Sequence, residues 1–158
     1  DFKNTIIIMT SNLGTDIIAE RIDSITKENR NAVMHEIKPL IIDQLKKKMR
    51  PEFLNRIDEI ILFKPLLDNE IIEIAKLILR QLNEKLAAQG MKMLTTDAAL
   101  QKIASIGYDV HYGARPLKRA IQKYIADPLA LKLLANEFES GNEIVIDVTD
   151  AGKFIFTK

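Results

Sequence analysis

The sequence predicts an α+β chain in two parts: an α/β segment, then a helical domain with a small β-sheet and a C-terminal hairpin. Of the 158 residues, 47% are hydrophobic and 28% are charged, enough for a buried core and a solvated surface. Apolar runs typical of buried strands occur before residue 65, and amphipathic helical stripes dominate after it. We therefore divide the chain into residues 1–64 and 65–158.

Two strands are expected in the first part. Residues 4–10 are β-branched and apolar without alternation, as in a parallel-sheet strand that is covered on both faces. Residues 59–64 form a second strand-like run. After the first strand, Thr15 or Asp16 can cap a short helix that ends at Arg21.

A longer helix is expected between these strands. Apolar residues recur at helical spacing over residues 27–48. Pro39 lacks a backbone N–H group, so it is expected to kink or split this helix into two pieces. Pro51 is suited to the first turn of a further short helix.

Helix signals are clearest in the second part. Asp68 is expected to cap a helix whose apolar stripe runs to Gly90, a residue suited to a left-handed helix end. A short strand at residues 91–94 precedes a helix that is capped by Thr96 and stopped by Gly107.

The end of the chain is expected to be helical and then to form a hairpin. Helices are predicted over residues 114–125 and 127–138, with a new segment starting at Asp127-Pro128. Residues 143–148 and 154–157 alternate like an antiparallel pair of strands.

The composition excludes several classes of function. A net charge of +1 and only 6% aromatic residues argue against a nucleic-acid surface, including at the basic run Lys46–Arg50. The longest apolar runs, such as residues 6–9, are too short to span a membrane. The absence of cysteine favours a reducing, cytoplasmic compartment. His35 and His111 lack companion ligands in the sequence, so no metal site is expected.

Three polar residues stand at the ends of predicted elements. Asn12 follows the first strand, where open parallel sheets place ligand-facing groups, although loop chemistry alone favours a turn or cap residue. Arg56 precedes the second strand and alone would be a surface or ion-paired arginine. Arg115 stands at a helix start, where the helix dipole disfavours a cation, so either an acidic partner or a bound anion is expected beside it.

Long motifs surround these residues. They are DFKNTIIIMTSNLG at residues 1–14, RPEFLNRID at residues 50–58, and GYD followed by YGARPLKR within residues 107–119. In this order they resemble the second ATPase module of Clp-type AAA+ chaperones, and the resemblance covers essentially the whole chain. It implies that residues 1–64 are an incomplete α/β remnant of the AAA+ large subdomain, and that residues 65–158 are the AAA+ small subdomain.

The resemblance implies a role for each of the three polar residues. Asn12 matches sensor 1, which orients the attacking water at the γ-phosphate of ATP. Arg56 matches the arginine finger, which reaches the ATP site of the neighbouring subunit. Arg115 matches sensor 2, which contacts the γ-phosphate within its own subunit. Each would stabilise charge that spreads over phosphoryl oxygens.

The family's Walker A and Walker B segments, which hold ATP with Mg²⁺, do not occur in this sequence. The chain also opens at Asp1 without an initiator methionine. We therefore expect it to be part of a longer protein and to hydrolyse no ATP alone. Since the Walker A strand lies between the two predicted strands in the family's sheet, the first 60 or so residues are expected to be frayed, repacked or paired with another copy.

The implied function is that of the C-terminal portion of an ATP-dependent disaggregase. Such a protein is a cytoplasmic homohexamer that acts on aggregated or misfolded polypeptides with the DnaK chaperone system, with no nucleic acid or membrane as partner. Relatives that deliver substrates to a peptidase carry an apolar-Gly-apolar loop between the sensor 1 strand and the arginine-finger segment. The only glycine between Asn12 and Arg50 is Gly14, so this loop is missing, which favours the disaggregase. The alternatives are a non-catalytic oligomerisation or adaptor module and the same region of a protease-associated unfoldase.

Overall fold

The computed structural model describes Asp1 and residues 3–158, so Phe2 of the first motif lies outside the described residues. The chain divides into two compact units, Asp1–Pro65 and Leu66–Lys158. The first unit is helical with irregular segments, and the second combines helices with a β-sheet.

One long helix organises the first unit. Helix α2 (Arg30–Lys48) follows the short helix α1 (Thr15–Arg21) and precedes the single-turn helix α3 (Pro51–Leu54). Gly14 immediately precedes α1 and has a φ of +82°; a Cβ atom there would lie 2.7 Å from Cγ2 of Ile41 on α2. The absence of a side chain at this position therefore lets the start of α1 approach α2. The small core contains Met34, Ile37 and Ile41, with Ile17, Ile18, Val33 and Leu62 packed against it.

The expected break at Pro39 is wrong, because α2 continues through this residue. Proline removes only one hydrogen bond of the helical ladder, the one to the carbonyl of His35. Both Pro39 and His35 are exposed, so water can satisfy that carbonyl. The buried residues on the opposite side of α2, Ile37 among them, keep both halves of the helix packed.

The strand predictions for residues 4–10 and 59–64 are also wrong. Neither segment forms a strand, and Ile6, Ile8 and Phe63 are 90%, 81% and 82% exposed. A strand is held by hydrogen bonds to a neighbouring strand. Among the described residues of the first unit no such neighbour exists, so both segments stay unpaired. The α/β character expected of this part is therefore not seen in the single chain.

The second unit packs helices against one face of a three-stranded sheet. Its helices are α4 (Asp68–Ala87), α5 (Asp97–Gly107), α6 (Arg115–Ile121) and α7 (Asp127–Leu134). Its strands are β1 (Lys92–Thr95), β2 (Glu143–Val148) and β3 (Phe154–Thr157). The largest core side chains with less than 2% of their surface exposed are Ile71, Ile103, Leu117, Ile125, Leu129, Ile144 and Ile146. Full burial of such a side chain contributes about 1.5–3 kcal/mol, so this continuous core is the main stabilising element of the unit.

The sheet confirms the predicted hairpin and adds a partner to it. Strands β2 and β3 are antiparallel, with Val148 opposite Phe154. Strand β1 pairs with β2 in parallel, with Met93 opposite Ile144. Because parallel strands need a crossover, α5 and the later helices lie between β1 and β2 in the chain.

The ends of α4 and α5 largely follow the sequence signals. Gly90 has the expected left-handed conformation, with a φ of +75°. Helix α4 begins with Asp68 as its first residue rather than its cap, because the Glu70 carboxylate accepts a hydrogen bond from Leu67 N at 2.9 Å. Thr96 caps α5 as predicted, since its hydroxyl oxygen accepts from Ala99 N at 3.2 Å.

The expected break near Asp127 is absent, because α6 and α7 are joined by a π-helical turn over Gln122–Ala126. Asp127 N donates to the carbonyl of Gln122, five residues earlier. This wider turn makes room for the ring of Pro128, which would otherwise crowd the carbonyl of Tyr124. Arg115–Leu134 is therefore one continuous helical segment, called the helical rod below. It lacks the break that the sequence predicted at Asp127.

Thr96 links helix α5 to the sheet, which leads to a testable prediction. Its hydroxyl donates to Asp147 Oδ1 on β2 at 2.6 Å while it caps α5. Thr96→Ala removes both interactions and is expected to lower the free energy of unfolding by about 1 kcal/mol, the usual value of a helix cap. Thr96→Ser, which keeps the hydroxyl, is the matched control, and urea denaturation measures both.

The same interaction predicts a pH dependence. The Thr96 hydroxyl, with the Val148 N–H group second, holds the pKa of Asp147 below its ordinary value in the folded state. A depressed pKa stabilises the folded state above the unfolded pKa, and this contribution is lost as the pH falls through the folded value. The difference between wild type and Thr96→Ala should therefore shrink in acid, and a constant difference would contradict this account.

Candidate functional site

Asn12 lies in the exposed loop before α1. Its carbonyl accepts hydrogen bonds from the backbone N and Oγ1 of Thr15, at 3.3 and 2.7 Å. Its backbone therefore helps to start α1. Within the described part of the chain, no hydrogen bond involves its side-chain amide, which is open to a ligand.

Arg56 is in the turn that follows α3. Pro51 starts that helix, and Arg56 N donates to the carbonyl of Phe53 at 3.1 Å. The side chain of Arg56 is exposed, and no carboxylate among residues 1 and 3–158 forms an ion pair with it. The turn thus fixes the backbone of Arg56 and leaves its guanidinium group available.

Arg115 begins α6 and is held by the loop of residues 108–114, which we call the Arg115 loop. Asp109 closes this loop: Oδ1 accepts from the backbone N atoms of His111 and Tyr112, at 2.8 and 2.9 Å. The main chains of Asp109 and Gly113 exchange two further hydrogen bonds, at 3.1 and 2.6 Å. Gly113 has a φ of +61°, a left-handed conformation that favours glycine.

Gly107 brings the end of α5 into contact with α6. A Cβ atom at this position would lie 2.4 Å from Cδ1 and 2.7 Å from Cα of Leu117. Both residues are buried. Only glycine permits this approach, which places the first turn of α6, and with it Arg115, directly beside the end of α5.

Tyr108 anchors the other end of the Arg115 loop against the core of the second unit. Burial raises the pKa of its phenol above the ordinary value, and the carboxylates of Asp68 and Asp109 act in the same direction. The phenol therefore stays neutral at physiological pH, and the loop carries no negative charge from this residue.

Arg115 is exposed at the start of α6, where the helix dipole disfavours a cation. In the described portion of the chain, no acidic side chain forms an ion pair with this arginine.

Asn12 and Arg56 belong to the first unit and Arg115 to the second. No hydrogen bond joins Asn12 and Arg56 in the described residues. The sequence reasoning also missed the supporting roles of Gly107, Asp109 and Gly113, although Gly-Tyr-Asp followed by Gly is a turn signal that indicates a fixed loop.

The side chains of Asn12, Arg56 and Arg115 carry hydrogen-bond donors, and phosphoryl oxygens accept hydrogen bonds from groups of this kind. In the part of the chain that the structure describes, no cluster of histidine and carboxylate side chains could hold a metal ion. The described helices also include none with the length and apolar character that a membrane span requires.

Two family models cover most of the chain. Residues 66–146 match the C-terminal, D2-small domain, of ClpB protein. The chain belongs to the ClpB D2-small family. Residues 1–60 match the AAA domain of the Cdc48 subfamily, so the chain is the C-terminal part of the second AAA+ module of a ClpB-type protein.

Individual ClpB proteins align with nearly the whole chain. The ClpB chaperone of Bacteroides thetaiotaomicron is 44% identical over 152 residues, which are 96% of this chain and 18% of that protein. The ClpB chaperone of Aquifex aeolicus is 43% identical over 156 residues, 99% of this chain and 15% of that protein. A chloroplast ClpC chaperone of Pisum sativum is 38% identical, covering 98% of this chain and 17% of that protein. The chain thus spans less than a fifth of the length of these ClpB and ClpC relatives.

A solved structure of a ClpB relative supports the fold. The structure of the Saccharomyces cerevisiae Hsp104:casein complex in its extended conformation has a TM-score of 0.75 and is 31% identical in sequence. The likeness covers 98% of this chain and 26% of the yeast chain. The predicted fold class, a helical AAA+ small subdomain with a small sheet and a C-terminal hairpin, is confirmed.

Proposed function

We propose that this chain supplies nucleotide-sensing and assembly residues to an ATP-driven ClpB-type protein disaggregase. The observation that carries the proposal is Arg115: it is exposed, is fixed by the Arg115 loop, and has no acidic partner among the described residues. Family membership explains why such an arginine is present. Residues 1–64 are then the end of the AAA+ large subdomain, and residues 65–158 are the small subdomain.

The roles of the three residues follow from the chemistry of phosphoryl transfer. Asn12 acts as sensor 1 and orients the attacking water, and Arg115 acts as sensor 2 within its own subunit. Arg56 acts as the arginine finger and reaches into the site of the next subunit. When bound with Mg²⁺, ATP supplies the phosphoanhydride whose hydrolysis drives the work. The residues present here fit only the γ-phosphate end of that nucleotide.

The complete protein is proposed to be a cytoplasmic homohexamer. Its substrates are aggregated or misfolded polypeptides, and its partner is the DnaK chaperone system. Arg115 couples the bound nucleotide to the small subdomain because it starts the rod Arg115–Leu134, whose inner face is buried in that unit. A contact made or lost at the phosphate is thereby transmitted to a rigid body.

The experiment is to join the chain to the upstream part of its own protein and to measure ATP hydrolysis and the recovery of a heat-aggregated reporter enzyme with DnaK present. The proposal expects both activities. Hydrolysis without recovery of the reporter, but with stimulated degradation by an added Clp peptidase, would indicate the protease-associated unfoldase. Assembly without hydrolysis would indicate the non-catalytic module.

A further inference from the structure

A cleft of about 270 Å³ lies on the second unit, and its lining residues include neither the Arg115 loop nor Asn12, Arg56 or Arg115. It is bounded by the end of α5, the π-helical turn, the start of α7 and strand β3. The lining residues are Ile106, Lys123, Tyr124, Pro128, Gly152, Lys153, Phe154 and Phe156.

The floor of the cleft is apolar and aromatic. The rings of Tyr124 and Phe154 contact each other with centroids 6.1 Å apart. Phe154 and Phe156 are half-buried, while Ile155 between them is more exposed and on the opposite face of β3. The cleft can therefore accept an apolar side chain but offers it few hydrogen-bonding groups.

The rim of the cleft is positively charged. Lys123 lies with Nζ 5.2 Å from the centre of the Tyr124 ring. Lys153 also lines the cleft, and Nζ of Lys102 lies 3.3 Å from the Cβ position that a side chain at Gly152 would occupy. Among the described residues, no carboxylate forms an ion pair with any of these lysines. Three ammonium groups around an apolar floor are complementary to an acidic ligand.

Strand β3 provides the third feature. In the order β1-β2-β3 it is an edge strand, so no strand among the described residues pairs with one side of its backbone. Lysines flank it at positions 153 and 158. Edge lysines disfavour pairing with a second copy of the same basic strand and favour pairing with an acidic one.

We propose that this cleft binds an extended acidic segment of a partner polypeptide, which adds as a strand to the free edge of β3. An apolar side chain of the segment enters the cleft over Tyr124 and Phe156, and its carboxylates face Lys102, Lys123 and Lys153. Main-chain pairing provides affinity and the cleft and lysines provide selectivity, as in other cases of strand addition. This site goes beyond the nucleotide-dependent function and requires no nucleotide.

The test uses the whole 158-residue chain and a fluorescein-labelled synthetic peptide that alternates Glu and Val around a central Phe. Fluorescence anisotropy should show saturable binding that weakens with added salt, and NMR should show amide shifts in residues 152–157. Lys123→Glu combined with Lys153→Glu should weaken binding at least about tenfold, equivalent to about 1.4 kcal/mol.

A matched control separates local from overall charge. Lys47→Glu combined with Lys85→Glu makes the same change in net charge at exposed lysines outside the cleft, and should change the affinity less than about twofold. A peptide with Lys in place of Glu should not bind. Equal weakening by both variant pairs, amide shifts away from β3, or no binding of the acidic peptide would each overturn the proposal. So would self-association of the chain through β3 that the peptide does not displace, because the occupant would then be a second copy.

Discussion

If Arg56 is the arginine finger of the hexamer proposed above, Arg56→Ala in the complete protein is expected to lower the rate of ATP hydrolysis by about 10³- to 10⁵-fold. The reason is electrostatic, because the guanidinium group would neutralise negative charge that develops on the transferred phosphoryl group. Nucleotide binding should change far less, since this interaction forms mainly in the transition state. Steady-state hydrolysis and nucleotide titration measure the two quantities separately.

Mixed hexamers distinguish the two arginines. Suppose that Arg56 acts on the neighbouring subunit and Arg115 on its own. A site is then wild-type when an Arg56→Ala subunit supplies Arg115 and its Arg115→Ala neighbour supplies Arg56. In a random equal mixture of the two variants this restores about a quarter of the sites. If both arginines act on the same subunit, no site is restored. One control mixes wild-type subunits with the double variant, Arg56→Ala combined with Arg115→Ala. A second control, Arg119→Ala on α6, shows the effect of losing an exposed arginine outside the proposed site. Absence of recovery in the mixture, with hexamers intact, would refute the assigned roles.

Gly107→Ala is expected to destabilise the second unit by about 1–3 kcal/mol, the usual cost of overpacking a core. Elsewhere in a helix the same change gains up to about 1 kcal/mol of helix propensity. At Gly107 the steric clash outweighs this gain, because the new methyl group would lie 2.7 Å from Cα of Leu117. No rotamer change can move this backbone atom away. The transition midpoint should fall by about 4–8 °C for each kcal/mol, as measured by circular dichroism.

Gly113→Ala is the matched control for Gly107→Ala. Its Cβ atom would have nothing within 4 Å, so only the left-handed backbone, with a φ of +61°, opposes the change. That cost is about 1–2 kcal/mol. Because Gly107→Ala shifts the start of α6, it should also impair Arg115-dependent hydrolysis in the folded hexamer. A Gly107→Ala protein with unchanged stability would contradict the close approach of α5 and α6.

Local signals predicted most of the second unit because local interactions form most of it. The stripe of α4, the left-handed Gly90 and the Thr96 cap each act within a few residues of sequence. The terminal hairpin is equally local. The parallel pairing of β1 with β2 was not predicted, because nothing in either strand's composition specifies a partner 50 or so residues away.

The first unit shows where sequence patterns mislead. Residues 4–10 have the composition of a buried strand. Composition indicates which neighbours a segment could pack against, but the described residues of the first unit contain no strand that could pair with it. At Pro39 the sequence predicted a break that does not occur. Burial of the residues on the other side of α2 outweighs the one hydrogen bond that proline removes. At the candidate site, the identities of Asn12, Arg56 and Arg115 came from motifs, while the supporting geometry of Gly107 required coordinates.

The π-helical turn sets the angular register of the helical rod. Leu117, Ile121, Ile125 and Leu129 are all buried and recur strictly every fourth residue. In a regular α-helix such a series rotates by about 40° at each step, or about 120° in total, and its ends would face different directions. The extra residue taken up by Gln122–Ala126 turns the series back toward one side. Removing one residue from this turn would convert it into a regular α-helical turn and leave Leu117 and Leu129 on the same side, whereas a regular α-helix through all of the present residues would separate them by about 120°.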